Sequence, residues 1–451
     1  MPIPENKVML VFMAPVATRS GYGSHSRDII RSIIKMDKFD VRILPTRWGE
    51  TPQDALDYLN PDDRIIIDRL LPEPKLDRQP EIFMQCTVPN EFQAPGKYNI
   101  GITAGVETTI CPPEWIDGMN RMDMNIVPSK FVKDMFESLK FTEKNEQGQP
   151  VREIKMEKPI EVLFEGADTK IYKKTSDFSS ELKEEMSLVK ESFAFLFVGH
   201  WLQGGLGKDR KDVGMLVRMF LETFKNKAKS PALIMKTSGS SFSVLDRENM
   251  LAMINQIKQS LGNHKWPNIY VMHGDLTDNE MNELYNHPKV KAHVTFTHGE
   301  GFGRPLLEAV FSEKPIIAPK WSGHLDFLNP KYVTLLPGGL TAVDKNSLQK
   351  GLVVDGAKWF TVDYGHAGKV LKDVFDSYKK YTQNTKILAM ANKTKFSIEA
   401  MDAEFLKILD THLPEFPKLV DNLKLPKLKK TGGTVPKMKF PTLKKSSKLT
   451  K

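Results

Sequence analysis

Short apolar runs alternate with amphipathic stretches along most of the chain. The apolar runs predict buried strands, and the stretches with a helical period predict helices between them. Strands are expected at Lys7–Pro15, Asp40–Pro45, Arg64–Asp68, Ile82–Cys86, Tyr98–Ala104, Asn125–Pro128, Ile160–Phe164, Phe193–Gly199, Ala232–Thr237, Ile269–His273, Ala292–Thr297, Pro315–Ala318 and Val333–Leu336. Helices are expected at Ser24–Met36, Lys130–Leu139, Val213–Phe224, Glu248–Leu261, Asp278–Asn286, Arg304–Phe311 and Ala367–Lys379.

This alternation predicts an α/β fold with parallel sheets, in two successive Rossmann-like domains. The first domain is expected over residues 1–190 and the second over 191–395, with the boundary in the charged segment Lys173–Glu191. A terminal helix is expected within 396–415, and the polar stretch Glu143–Lys158 reads as a surface loop.

Composition narrows the class of protein. The chain has 451 residues, of which 40% are hydrophobic, so it can bury two or three cores. No apolar run approaches the roughly 18 residues that span a bilayer, and the N-terminus lacks the layout of a signal peptide. Cys86 and Cys111 are the only cysteines, which argues against a disulfide scaffold and favours a reducing, cytoplasmic location.

The positive charge of the chain is concentrated at its end. The formal net charge is +9, but residues 416–451 hold eleven lysines and one acid, Asp421. The remaining residues are nearly neutral, which argues against a uniformly basic nucleic-acid-binding surface. Recurring prolines and lysines without a helical period predict a disordered tail over 416–451.

Candidate chemistry centres on one segment, His298–Ala309. It places Glu300 and Glu308 eight positions apart, with Gly301-Phe302-Gly303 after the first carboxylate. A strand is expected before this segment and a helix within it, so the glycine turn stands at a helix N-terminus, where backbone N–H groups favour anions. Amides for a diphosphate and carboxylates for hydroxyls would suit a sugar nucleotide.

The segment resembles the Glu-x7-Glu signature of retaining glycosyltransferases of the GT-B fold, family 4, also described as the glycosyl transferases group 1. Other features stand in the order expected for that family, most strongly between Phe193 and Asp326. They are the glycine turn Ser20–His25, the strand end Phe197–His200, the basic Asp209–Asp212, the strand and loop Ile269–Leu276, and Lys314–Ala318 with Ser322–His324.

The resemblance implies a role for each matching residue. Glu300 would contact hydroxyls of the donor sugar, and Glu308 would hold the ribose. Lys211 would stabilise the leaving diphosphate, where charge develops as the glycosidic bond breaks. The other donor-binding candidates are Gly21, Gly23, His200, Arg210, Gly301, Phe302, Gly303 and Arg304, with Lys208 as a further cation. The family commonly has arginine where His200 stands.

The first domain would supply the acceptor pocket, and the second would bind the nucleotide sugar. Glu107 follows an expected strand, so it lies at the carboxyl edge where open sheets bind ligands, and it is the catalytic candidate on the acceptor side. Trp115 is a candidate for sugar stacking. The chain contains no Asp-x-Asp pair and no histidine cluster, so neither a metal nor a cofactor is expected besides the nucleoside diphosphate sugar used as donor substrate.

These observations predict a metal-independent hexosyl- or pentosyltransferase with an unknown hydroxyl acceptor: a glycan, a lipid or a modified nucleic acid. Two alternatives stay open. One is a GT-B sugar-nucleotide epimerase or phosphorylase, and the other is a non-catalytic sugar- or nucleic-acid-binding protein. The tail over 416–451 either contacts nucleic acid or an anionic membrane through its lysines, or only keeps the protein in solution.

Overall fold

The first half of the chain forms a parallel sheet of six strands. The computed structural model describes residues 7–202, 205–239 and 243–416. In chain order this half contains β1 (Val8–Ala14), α1 (Gly21–Met36), β2 (Phe39–Pro45), α2 (Pro61–Ile67), β3 (Ile82–Cys86), β4 (Tyr98–Ile102), α3 (Pro113–Arg121), β5 (Met124–Val127), α4 (Lys130–Ser138), β6 (Lys140–Lys144), β7 (Pro150–Lys155) and β8 (Ile160–Val162). The strand order is β2-β1-β3-β4-β5-β8.

The second half forms another parallel sheet of six strands. It contains α5 (Ser180–Ser187), β9 (Ala194–Val198), α6 (Val213–Phe224), β10 (Ala232–Lys236), α7 (Val244–Ser260), β11 (Ile269–Met272), α8 (Asp278–Asn286), β12 (Val290–Val294), α9 (Arg304–Val310), β13 (Ile316–Pro319), β14 (Thr334–Leu336), β15 (Gly338–Ala342), β16 (Lys358–Val362), α10 (Tyr364–Asp376), α11 (Tyr378–Tyr381), α12 (Thr385–Lys395) and α13 (Ile398–His412). The strand order is β11-β10-β9-β12-β13-β14.

The strands form because their side chains are apolar on both faces of each sheet. β3 is buried along its whole length, as are β5 and β13. Continuous apolar runs of this kind are typical of parallel strands covered by helices on both sides. The predicted α/β fold with two Rossmann-like parallel sheets is therefore confirmed, while the boundary at residue 190 stays a prediction.

The last helix returns to the first sheet. Four residues of α13 are buried in the core that includes β1 and α1, namely Met401, Phe405, Ile408 and Leu409. Lys35 Nζ on α1 lies 2.8 Å from Asp402 Oδ2 on α13. The end of the described chain therefore ties the two lobes together, where a lobe is one sheet with its helices.

Two local predictions are wrong. Arg64–Asp68 is not a strand, because Pro61 begins α2 there and Asn60 Oδ1 caps it by accepting from the N–H of Asp62 at 3.0 Å. Glu143–Lys158 is not a loop throughout, since β6 and β7 pair there as an antiparallel hairpin. A second hairpin, β15 with β16, was not predicted from the sequence.

A disordered basic tail is predicted over residues 416–451. Apart from Phe416, residues 416–451 lie outside the described residues. In the described part of the chain, none of the helices combines the length and the apolar character needed to cross a membrane.

Candidate active site

The strand order of the second sheet fixes where a ligand can bind. Numbered within the sheet, the order is 3-2-1-4-5-6, and it reverses between β9 and β12. In such sheets the loops at the carboxyl ends of these two strands diverge and leave a crevice. Gly199 and His200 follow β9, and Thr295–Gly303 follow β12. The donor candidates His200, Arg210 and Lys211 therefore lie in one of these loops, and Gly301, Phe302 and Gly303 lie in the other.

Glu300 is held by its backbone in the loop after β12. Its N–H donates to Ser322 Oγ at 2.9 Å, and its carbonyl oxygen accepts from the N–H of Gly323 at 2.9 Å. Ser322 adopts φ 82° and ψ −168°, a region that is nearly restricted to glycine and costs a non-glycine residue on the order of 1–3 kcal/mol. The loop after β13 thus contains a residue with a strained backbone, and that residue positions Glu300.

The side chain of Glu300 forms an ion pair with Lys211. Lys211 Nζ lies 2.5 Å from Glu300 Oε2 and also contacts Oε1. Burial alone would raise the pKa of Glu300, but the charges of Lys211 and Arg210 outweigh it and hold the pKa below its ordinary value. Glu300 is therefore a carboxylate at neutral pH, beside an ammonium that carries three donors.

Arg210 connects the second lobe to the first. Its Nη1 lies 2.5 Å from Glu107 Oε1 in the loop after β4. The same loop closely approaches the Glu300 loop, because a Cβ added to Gly299 would lie 2.8 Å from the Cβ of Glu107. The structure thus brings together all three catalytic candidates, Glu107, Lys211 and Glu300, around Arg210.

The Gly301-Phe302-Gly303 turn packs against the first lobe. A Cβ on Gly301 would lie 2.6 Å from the carbonyl oxygen of Ala104, so only glycine fits there. Ser129 Oγ donates to the carbonyl oxygen of Gly301 at 2.5 Å. Gly303 has φ 97°, which favours glycine, while the Phe302 side chain is buried in the core of the second lobe. Phe302 can therefore contact a ligand only through its backbone.

The amides of this turn are buried and have no hydrogen-bond partner in the described part of the chain. Within the described ranges, no acceptor takes the N–H of Gly301, Phe302 or Gly303. The helix that follows, α9, has only seven residues and carries Pro305, which has no N–H, in its first turn. The helix N-terminus therefore offers fewer donors than the sequence suggested, and the amides of the turn become more important.

Glu308 lies on α9 in a different environment. Its Oε1 accepts from Arg304 Nε at 2.9 Å, and its Oε2 accepts from Tyr285 OH at 3.2 Å. Arg304 also pairs with Asp28 on α1, across the two lobes. Burial raises the pKa of Glu308 to about 7 despite Arg304. Arg304 therefore forms ion pairs with two acidic side chains, Glu308 and Asp28.

The remaining donor candidates take different positions. Ser20 caps α1, its Oγ accepting from the N–H of Gly23 at 3.0 Å. A Cβ on Gly23 would lie 2.2 Å from the carbonyl oxygen of Thr18, whereas one on Gly21 would meet nothing within 4 Å. Gly23 is thus required by the turn, and Gly21 borders open space. His200 is exposed, and its Nδ1 lies 3.0 Å from Ser238 Oγ.

Trp115 must be corrected. It is 1% exposed in the core of the first lobe, and its Nε1 donates to the carbonyl oxygen of Gly351 at 3.0 Å. It therefore cannot stack on a sugar in the crevice. The sequence pattern did not reveal that α3, which carries Trp115, places this ring inward.

Several supporting residues were missed by sequence reasoning. Asp28 and Tyr285 hold Arg304 and Glu308, Ser129 bonds to the turn, and Ser322 was recognised only as part of a loop. Each acts through a contact between segments distant in the chain, which no local pattern signals. Among residues 7–202, 205–239 and 243–416, no group of three His, Cys, Asp or Glu side chains is arranged to hold a metal ion.

Neither a family model nor a curated protein matches the sequence. Solved structures do match. HepE of Anabaena, crystallised with UDP-glucose, superposes with a TM-score of 0.57 at 11% identity, covering 89% of this chain and 99% of HepE. The chain has the GT-B fold. Sucrose-phosphate synthase from Thermosynechococcus elongatus gives a TM-score of 0.57 at 10% identity, over 90% of this chain and 99% of that protein.

A third GT-B neighbour is WaaG, a glycosyltransferase involved in lipopolysaccharide biosynthesis. Its TM-score is 0.53 at 12% identity, over 89% of this chain and 99% of WaaG. The predicted GT-B fold is confirmed by these superpositions. At such low identities the likeness concerns the fold, so the roles of individual residues rest on the geometry of this chain.

Proposed function

We propose that the protein is a retaining glycosyltransferase that moves a sugar from a nucleoside diphosphate sugar to a hydroxyl acceptor. The observation that carries this proposal is the Lys211–Glu300 pair beside the free amides of residues 301–303, at the reversal point of the second sheet. The pair places a cation for a diphosphate and a carboxylate for sugar hydroxyls within one crevice. HepE, a GT-B neighbour crystallised with UDP-glucose, supports this choice of donor.

Lys211 would act on the leaving group. Its ammonium has three protons, so it can bond to Glu300 and to a phosphate oxygen at once. As the glycosidic bond breaks, negative charge grows on the diphosphate, and a fixed buried cation stabilises that charge more than water does. The side chain of Lys211 is 14% exposed, which favours this effect.

Glu300 would orient the donor sugar. Its two backbone hydrogen bonds fix the position of the carboxylate, so a sugar hydroxyl that donates to it is held without further ordering of the protein. Attack of the acceptor on the same face as the leaving group would retain the anomeric configuration. A phosphate oxygen of the leaving group would then accept the acceptor proton.

Glu107 would lie on the acceptor side. It belongs to the first lobe, and its pairing with Arg210 brings that lobe to the donor crevice. Bridges between the lobes, including Arg304 to Asp28, would keep water out of the crevice while the acceptor is held. We expect the acceptor to enter between the loop after β4 and the first turn of α1, which contains Gly21 and Gly23.

A thermal-shift screen of nucleoside diphosphate sugars tests the proposal first. A ligand that binds only the folded protein raises the melting temperature, by an amount set by its concentration relative to Kd. We expect one nucleotide sugar to shift the wild type and not Lys211→Met, and the exposed Lys386→Gln to behave as the wild type. If none of them shifts the wild type, the donor assignment is wrong.

The product then identifies the reaction. Release of the nucleoside diphosphate with a new glycoside supports transfer. A changed sugar on an intact nucleotide would indicate an epimerase, and transfer of the sugar to free phosphate would indicate a phosphorylase. Binding without any turnover would favour a non-catalytic sugar-binding protein and contradict the enzymatic proposal.

A further inference from the structure

A second pocket lies at the opposite edge of the same sheet. Lys291 stands at the start of β12 and Lys314 just before the start of β13, whereas the candidate active site follows the ends of these strands. The five residues of β12 span roughly 16 Å at about 3.3 Å per residue. The pocket is therefore separate from the crevice between the lobes.

Three lysines converge on this pocket. Lys314 Nζ donates to the carbonyl oxygen of His287 at 2.7 Å, and Lys174 Nζ donates to that of Ser312 at 2.9 Å. Lys291 Nζ lies 6.0 Å from the centre of the Tyr378 ring. In the described part of the chain none of the three lies within 4.0 Å of a carboxylate oxygen, in contrast to Lys211. The pocket thus holds amines whose protein partners are carbonyl groups and a ring.

Without a bound anion, the burial of Lys314 beside two other lysines disfavours its charged form. Its side chain belongs to a residue that is only 8% exposed. Burial, together with the charges of Lys174 and Lys291, lowers its pKa to about 6. Glu313 also borders the pocket, so one carboxylate faces three amines. A bound anion would favour the charged form of Lys314 and relieve the repulsion among the lysines.

The segment that carries Lys174 is fixed in place. Asn286 on α8 accepts from the N–H of Thr175 at 3.2 Å through Oδ1, and its Nδ2 donates to the carbonyl oxygen of Lys173 at 2.9 Å. Asn282 Oδ1 also accepts from the N–H of Lys173 at 3.1 Å. Lys174 therefore approaches the pocket from an ordered backbone, which reduces the entropy lost when a ligand is bound.

The size and walls of the pocket indicate the kind of ligand. Its volume is about 420 Å³, within the range of small-molecule sites and larger than inorganic phosphate requires. Thr175, Ser176 and Asn286 contribute polar groups, and Phe178 and Tyr378 contribute ring surface. We propose that this pocket binds a small phosphate-bearing metabolite, its phosphate lying among Lys174, Lys291 and Lys314.

Calorimetric titration with inorganic phosphate and with glucose 6-phosphate tests the site. Because the crevice between the lobes also contains cations that can bind phosphate, the titration must give the number of phosphate sites in each variant. The double variant Lys174→Gln/Lys291→Gln should lose one site or weaken it at least tenfold, while Lys386→Gln should bind as the wild type does. Glucose, which lacks phosphate, should not bind there. An unchanged isotherm in the double variant would overturn the proposal.

Lys314 gives an independent readout. At pH 7.5 its amine is mostly neutral, and phosphate should raise its pKa, so binding should take up protons. The charged or titratable groups around it are Lys174, Lys291, Glu313, His287 and Lys289. Titrations in buffers of different ionisation enthalpy measure this proton uptake. We expect uptake in the wild type and none in Lys314→Met, and the neutral methionine side chain should allow the variant to fold. Equal proton uptake in both would contradict the assignment.

Binding of phosphate in this pocket, called the lysine pocket after Lys174, Lys291 and Lys314, does not depend on the proposed transferase activity. Glu300→Gln should leave the lysine-pocket binding of phosphate unchanged, since that residue lies at the other edge of the sheet. Binding only of long polyanions, such as an oligonucleotide, with none of glucose 6-phosphate, would show that the lysines form a general basic surface and would reject a small-metabolite site.

Discussion

The two carboxylates of the Glu-x7-Glu segment are equally buried yet differ in charge. Glu300 is 9% exposed and Glu308 is 7% exposed. Glu300 faces two cations, Lys211 and Arg210, which lower its pKa. Glu308 shares Arg304 with Asp28, and burial raises its pKa to about 7. The number of nearby cations, and not burial, therefore decides which carboxylate is fully charged at neutral pH.

The largest expected effect comes from Glu300→Gln. The amide keeps the shape of the side chain but removes the charge that would orient the donor, so turnover should fall by about 10²–10³-fold, as when one fixed polar group is removed from a site. Release of the nucleoside diphosphate measures this. Glu248→Gln, which changes an exposed glutamate, is the control, and wild-type turnover in Glu300→Gln would refute the role.

Lys211→Met should reduce turnover by about 10²-fold, since the growing charge on the diphosphate would lose its cation. It should also raise the pKa of Glu300, because burial would then be opposed mainly by Arg210. The acidic limb of the pH–rate profile should accordingly move to higher pH. A profile that keeps the wild-type limb would show that the two groups are not coupled.

Glu308→Ala should act on donor binding more than on turnover. Loss of the contacts that the Glu308 carboxyl group makes is expected to raise KM about tenfold, at about 1.4 kcal/mol per factor of ten, with kcat changed by less than about threefold. Steady-state kinetics with the donor measure both constants. A fall in kcat equal to that of Glu300→Gln would show that the two carboxylates do not have different roles in donor binding and turnover.

The pH dependence of stability should reveal Glu308. Between pH 4.5 and 7 the unfolded glutamate is ionised while the folded one keeps its proton, so stability should fall as pH rises through this window. At about 1.36 kcal/mol per pKa unit, the rise of the Glu308 pKa from 4.5 to about 7 limits the loss to roughly 3.4 kcal/mol. Urea unfolding at pH 5 and pH 7.5 should show a smaller fall in Glu308→Gln, and identical falls would count against a raised pKa.

The smallest effect is expected at Ser322. Ser322→Ala removes the acceptor for the N–H of Glu300 and should cost about 1 kcal/mol of stability and a few-fold in turnover. Ser322→Gly removes the same acceptor but relieves the strained backbone at φ 82°. We therefore expect Ser322→Gly to be more stable than Ser322→Ala but no more active. Equal activity of Ser322→Gly and the wild type would show that the hydrogen bond does not position Glu300.

Much of the fold could be predicted from local pattern. Val213–Phe224 and Asp278–Asn286 were predicted with the bounds that the structure has, because apolar spacing marks both helices and a capping box between Thr277 and Glu280 begins the second. Arg64–Asp68 failed because a short apolar run fits a strand and a helix equally well, and the cap at Asn60 decided the outcome. The hairpin within Glu143–Lys158 failed because its residues are mostly exposed and polar.

The candidate site could be predicted in part. The positions of Glu300, Glu308 and the glycine turn follow from spacing along one strand–turn–helix unit. The partners do not, since Arg304 bonds to Asp28 and Arg210 bonds to Glu107 across 276 and 103 residues of chain. Trp115 was misassigned for the same reason, because its burial is set by how α3 packs in the first lobe.

The central claim is that the Lys211–Glu300 pair promotes cleavage of a nucleotide sugar with retention. The most direct measurement is proton NMR of the wild type with an α-linked nucleotide sugar selected by the thermal-shift screen, recorded before the released sugar mutarotates. With water in place of the acceptor, we predict slow hydrolysis that releases the nucleoside diphosphate together with the α-anomer of the sugar, and we expect Lys211→Met to release both about 10²-fold more slowly. Early appearance of the β-anomer, or equal release by Lys211→Met, would contradict the account.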